Sequence, residues 1–200
     1  MALNSLTFLA FLAVVLLIYY IVPKKFQWAV LLVASYGFYL SSGVGHVVYI
    51  IGTTLFTYGA GRLMQHIRDK QQNAINAMGE EATKEEKRQL KKAAAKKVHT
   101  VQVITVLVNL AVLSYIKYLN AIFSNFNDLF ALFRWDISMP TVNVLVPLGL
   151  SYYTFNSIGY LIDVGRGKYA AEKNVGKFAL FVSFFPQLIA GPIVLPGEML

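Results

Sequence analysis

Long apolar runs separated by brief polar breaks set the pattern of this chain. Ala2–Val22, Phe26–Leu40, Val47–Leu63, Val98–Ile116, Val142–Asp163 and Phe178–Leu195 carry few charges, and several approach the ~20 residues that a bilayer demands of a helix. Pro23-Lys24-Lys25 ends the first run abruptly, with no small-residue cleavage site behind it. That reads as a retained anchor rather than a removed signal peptide. Ser42–His46 makes a glycine-containing turn, and Gly165, Arg166 and Gly167 close the fifth run. In the last run Pro186, Gly191-Pro192 and Pro196 argue against a continuous helix, because proline lacks a backbone donor and clashes with the preceding turn. A bent or re-entrant segment is expected, with protein or a wet cavity satisfying the freed carbonyls. The expected fold is an all-α polytopic membrane protein, one membrane domain over residues 1–200 with about six transmembrane or re-entrant helices.

Two stretches break the apolar pattern. Gln65–Lys97 holds nine Lys or Arg against five Asp or Glu. Gly79 interrupts it, and Thr83-Lys84-Glu85-Glu86 has the capping-box spacing that starts a helix. A solvated helix in a cytoplasmic basic loop is expected, with docking of its lysines on anionic headgroups as the functional alternative. In Leu119–Trp135, Ile122, Phe126, Leu129 and Phe133 recur at helical spacing. This predicts a helix lying in the interface, or else a core element between spans. Charge bias then places Lys24-Lys25, Gln65–Lys97 and Arg166–Lys177 together on the cytoplasmic face of the plasma membrane, with the N-terminus outside.

Composition narrows the chemistry. Apolar residues make up 56% of the chain and charged residues 14%, so the lipid bilayer is the first partner expected. Much of the net charge of +8 sits in one loop, which positive-inside topology explains without nucleic acid. The absence of cysteine excludes disulfides, thiolate nucleophiles and cysteine metal sites. His46, His66 and His99 are scattered and lack carboxylates at ligand spacing, so no metal and no bound cofactor is expected. No G-x-S-x-G occurs, and Ser151 has no nearby histidine. No catalytic residue is assigned within the chain.

The candidate site lies in the fifth run. At about 100° per residue, Gly149, Tyr153, Asn156, Tyr160 and Asp163 share one face of a helix. Polar groups in hydrocarbon cost several kcal/mol without partners, so this stripe should face protein or water. Ser151, Tyr153, Asn156, Tyr160, Asp163 and Arg166 are the expected lining of a substrate channel, joined by Gln187, Gly191 and Pro192 from the last run. Asp163 and Arg166 stand three apart, either as a pair tying the helix end to its loop or as the channel mouth. Thr53, Thr54 and Thr57, among the glycines of the third run, suit helix packing, with substrate lining as the alternative.

Four segments carry a family resemblance: VPLGLSYYTFNSIGYLIDVGRGK, EKNVGKFALFVSFFPQLIAGPI, NLAVLSYIKYLNAIFSNFN and VPKKFQWAVLLVASYGFYL. Together they resemble the membrane-bound O-acyltransferases, in the bacterial branch of alginate and peptidoglycan O-acetylation proteins and the D-alanyl transfer protein of teichoic acids. The resemblance implies transfer of an acyl group from a cytoplasmic donor, acetyl-CoA or a carrier-bound acyl group. The implied acceptor is an extracytoplasmic polysaccharide, peptidoglycan or teichoic acid, reached through a partner enzyme of serine–histidine hydrolase-like fold. Members of this family are roughly twice as long, so the chain resembles an N-terminal half, and their active-site histidine is expected beyond Leu200. A transporter or channel half and a non-catalytic scaffold are the competing classes, although no internal repeat supports the former.

Overall fold

The computed structural model describes residues 6–78, 83–133, 135, 139–140, 146–147 and 149–190. Gly79, Gly191, Pro192 and Pro196 therefore lie outside the described residues, as does the start of the fifth run at Val142. Among the described residues every regular element is helical: α1 Leu6–Ile21, a single 3₁₀ turn Lys24–Phe26, α2 Gln27–Ser42, α3 Val44–Ala77, α4 Lys84–Leu132, α5 Leu150–Arg166, α6 Val175–Ser183 and α7 Phe185–Ala190.

The largest departure from expectation is continuity. α3 runs for 34 residues, through the third apolar run and into the basic stretch. α4 runs for 49 residues and joins three pieces anticipated separately: the helix of the basic loop, the fourth span and the interfacial helix of Leu119–Trp135. The reason is legible in hindsight. Between Lys84 and Leu132 there is neither glycine nor proline, so nothing opposes propagation once the helix has started. It starts where expected, with the Thr83 amide donating to Glu86 at 3.0 Å in a capping box. At 1.5 Å per residue α4 is about 74 Å long, more than twice a bilayer's hydrocarbon core of about 30 Å. The basic stretch is thus the tip of an antiparallel α3–α4 hairpin, not a loop with a short helix. Of the described helices α4 alone is long and apolar enough to cross a membrane by itself, and α1 is a shorter apolar helix.

The last apolar run breaks as its proline demands. α6 stops at Ser183, Phe184 leaves helical geometry, and α7 begins with Pro186 in its first turn, where a missing amide costs least. The break is sealed from α2. The Phe185 amide donates to Ser35 Oγ at 3.3 Å, while Ser35 donates to the Leu31 carbonyl at 2.8 Å.

α5 is the axis of the bundle. It packs on α3 and α4, and α2 covers α6. One core cluster gathers Tyr39, Ile50, Met64, Val98, Tyr153, Tyr160, Phe178 and Phe181. A second joins Phe8 and Phe11 of α1 to Phe38 and Phe185, with the Phe11 and Phe185 rings 5.4 Å apart. The three basic segments meet at one end. Arg68 of α3 holds the last carbonyls of α5, and the Ala171 amide of the following loop donates to Gln65. Trp28, next to the first lysine pair, lies against Gly176. At the other end Lys117 donates to Ser151 at 3.1 Å. Beyond it, Asn127 exchanges hydrogen bonds with both backbone groups of Met139.

Close packing of α3 on α5 depends on Gly61. A Cβ there would come within 2.9 Å of the Tyr160 ring, which is 1% exposed and pressed on Phe178 at 4.6 Å. Gly61→Ala is therefore expected to destabilise the protein by about 1–3 kcal/mol through overpacking. Gly165→Ala should cost less, because its Cβ would displace only the Gln102 side chain, which can rotate away. Thermal unfolding of the two variants in detergent checks the contrast.

Candidate functional site

The stripe expected on α5 is present and points inward. Tyr153, Asn156, Ser157 and Tyr160 are all at or below 1% exposure. Also buried are Tyr39 and Ser35 of α2, Thr54 and Thr57 of α3 and Ser183 of α6. Tyr39 lies beside Tyr153, with Tyr36 and Tyr152 near, and Tyr36 lies beside Thr54. The largely apolar interior between α2, α3, α5 and α6 thus carries a group of buried polar side chains.

Hydrogen bonding divides these groups into two sets. Some are satisfied locally: Thr154 donates to the Leu150 carbonyl at 2.7 Å, and on α4 Thr105 and Asn109 donate one turn back along their own helix. Tyr160 accepts from the Glu172 amide at 3.1 Å, which pins the α5–α6 loop. The Tyr152 hydroxyl donates to Gln187 Oε1 at 2.7 Å and ties α5 to α7. The hydroxyls of Tyr39, Thr57, Tyr153, Ser157 and Ser183 have no hydrogen-bond partner among the described residues, while Thr54 and the Asn156 amide have only the Tyr36 and Tyr152 hydroxyls beside them, without a well-formed bond. Each such buried group costs about 1–3 kcal/mol. Folding alone does not reward that arrangement, whereas a polar passage or a bound polar group does.

Other expected site residues sit elsewhere. Ser151 is half-buried at the far end, on Lys117. Asp163 is also half-buried and forms its ion pair with Lys168 at 3.7 Å rather than with Arg166. The anticipated Asp163–Arg166 pair is therefore not made. The carboxylate instead meets the lysine just past Gly167, whose left-handed φ of 77° turns the chain back. Arg166 is exposed and lines a cleft of about 720 Å³ between the ends of α3, α4 and α5. Gln187 joins the site through Tyr152, and Gly191 and Pro192 lie outside the described residues.

Several members of the polar interior were not anticipated. Ser157 follows Tyr153 by four positions, so the helical spacing that marked the stripe already included it. Tyr39, Ser183 and Tyr152 gave no such signal. They join through the packing of α2, α6 and α7 on α5, which no local pattern encodes. His46 lies in the first turn of α3, whereas His66 and His99 are exposed along the bodies of α3 and α4, His99 on the wall of the basic cleft. The polar interior thus offers hydroxyl and amide groups that can orient an acyl carbonyl or an alcohol. None of its named groups is a base of near-neutral pKa.

No family model matches the chain, and no solved structure matches it. Among curated proteins it is similar to the probable alginate O-acetylase AlgI of Pseudomonas aeruginosa, 35% identical over 184 residues, covering 92% of this chain and 31% of that protein. AlgI of Azotobacter vinelandii is 34% identical, with 92% of this chain and 32% of that protein covered. The peptidoglycan O-acetyltransferase of Helicobacter pylori is 29% identical over 49% of this chain and 22% of that protein. The chain therefore spans about a third of the length of the alginate O-acetylases it matches, less than the half expected from the sequence. Across 92% of its residues it is homologous to these O-acetylases of the membrane-bound O-acyltransferase family.

Proposed function

We propose that this chain is part of a membrane-embedded O-acetyltransferase that accepts an acetyl group at its basic, cytoplasmic end. The group then moves along the polar interior toward an extracytoplasmic polysaccharide or peptidoglycan. The observation that carries this reading is a belt of exposed large apolar side chains around a bundle that holds unpartnered polar groups in its interior. Leu6, Leu17 and Ile21 of α1, Val48 and Leu55 of α3, and Ile104 and Leu107 of α4 are exposed, while the bundle interior collects unpartnered hydroxyls. Large apolar side chains spread around helices and polar groups held inside suit lipid as the solvent. The named activities of the homologues supply the reaction class.

On this reading the bundle crosses the plasma membrane several times, with the N-terminus outside. Gathering of Lys24-Lys25, the hairpin tip and the α5–α6 loop at one end supports that orientation. Acetyl-CoA or an acylated carrier is the donor. A histidine base outside these residues and an extracytoplasmic partner enzyme complete the transfer, since acyl transfer to a hydroxyl needs a base beside it and donors for the oxyanion.

Full-length protein in sealed vesicles, supplied with labelled acetyl-CoA on the side of the hairpin tip, tests the proposal. Label is expected on an acceptor or partner enzyme confined to the opposite side. If both acetyl-CoA and an acetylated carrier leave the opposite side unlabelled, the reading fails.

A further inference from the structure

The basic cleft is separate from the polar interior, and its walls have a chemistry of their own. Lys91 of α4 and Arg166 of α5 both line it, and neither forms an ion pair among the described residues. Arg68 of α3 lines it too, with both terminal nitrogens of its guanidinium donating to the Val164 and Gly165 carbonyls. That contact offsets the negative end of the α5 dipole, so the cleft keeps a positive field where a bare helix C-terminus would repel an anion. Asp69 is the single carboxylate on the wall, and it already accepts from Gln65 at 2.9 Å. Val98 and Ile162 give the cleft an apolar portion.

Three cations drawn from three helices, an apolar wall and about 720 Å³ of space match the size class of cofactor pockets, about 300–1,000 Å³. Guanidinium and ammonium groups on opposite walls are suited to phosphate, the first as a planar fork and the second as a point charge. We propose that this cleft binds a soluble phosphate ester of nucleotide size, its phosphates on Lys91 and Arg166 and its ring against Val98 and Ile162. The inference rests on the acetyltransferase reading only in naming the ester as the donor's phosphate-bearing part. Gln102 lies against Gly165 at the edge of the cleft, so close that a Cβ on the glycine would fall 2.2 Å from its side-chain oxygen. An ester seated here therefore meets α5 one to two turns from Tyr160, at the near end of the polar interior.

The test uses full-length protein in nanodiscs of zwitterionic lipid, with coenzyme A as probe, inorganic pyrophosphate as competitor and titration calorimetry as readout. Wild type is expected to bind coenzyme A and to release it to pyrophosphate. The double variant Lys91→Ala, Arg166→Ala should weaken binding about tenfold or more. Lys92→Ala, which removes an equal charge from the same helix outside the cleft, should leave binding unchanged. In donor-dependent transfer the double variant should raise KM and spare kcat. Coenzyme A binding that ignores the double variant, or falls equally with Lys92→Ala, overturns the cleft assignment while leaving the acetyltransferase reading intact. Loss of coenzyme A binding when anionic lipid enters the nanodisc, restored by Lys91→Ala, assigns the cleft to a lipid headgroup and also overturns it. Binding that follows the cleft residues in a protein that transfers no acetyl group supports the cleft and sinks the reading.

Discussion

Asn156→Leu is expected to raise the thermal stability of the full-length protein and to lower acyl transfer by roughly tenfold or more, a loss of about 1.4 kcal/mol or more of transition-state stabilisation. The two effects have one cause. Asn156 is 1% exposed, and its amide has only the Tyr152 hydroxyl beside it, with no well-formed hydrogen bond at either atom among the described residues. Leucine has the same branched skeleton with bulkier methyl groups and no polar atoms, so it opens no cavity and removes a desolvation cost of about 1–3 kcal/mol, against which only the accommodation of the methyl groups counts. If the amide is retained to orient an acyl group or the water beside it, transfer suffers while the fold gains. Thermal unfolding in detergent and the vesicle assay, run on the same preparation, separate the two. A variant that is less stable and fully active would mean that the amide is structural, and the channel-lining role would fall.

Arg68→Ala is expected to cost about 2–4 kcal/mol of stability and to loosen the C-terminal end of α5. Its guanidinium donates to two carbonyls of the last turn: that of Val164, which also accepts from the Gly167 amide, and that of Gly165. Hydrogen bonds from a charged donor contribute about 1.5–3 kcal/mol each. The residue is only half-buried, so solvent screening places the pair near the lower end of the sum. Arg68→Lys should recover less than half of the loss, since one ammonium cannot reproduce the planar fork. Hydrogen exchange should show the change first in the last turn of α5 and in the loop to α6, which Gln65 and Tyr58 of the same helix also hold. Unchanged protection there would mean that Arg68 serves the cleft and not the helix end.

Much of the architecture was legible from local features. Apolar runs marked the helices, the capping box placed the start of α4, Pro186 required the break before α7, and the 3.6-residue period marked the inward face of α5. Helix lengths were not legible where charged stretches follow apolar ones. Lys84 to Lys97 and Lys117 to Leu132 change the solvent a helix meets, but without glycine or proline they do not stop it. Partner choice was equally hidden, as with Asp163, which turned to Lys168 because a left-handed glycine folded the chain back.

What the sequence by itself determined is the pattern and the period: which stretches are apolar, and which face of α5 carries polar groups. Both follow from composition and spacing along one helix. Only the tertiary structure decided that Tyr39 stands beside Tyr153, and that Arg166 shares a cleft with Lys91. Those neighbours lie far apart in the chain, and no local preference brings them together. They meet because α2, α3, α4 and α6 pack around α5, at distances set by glycines and aromatic rings.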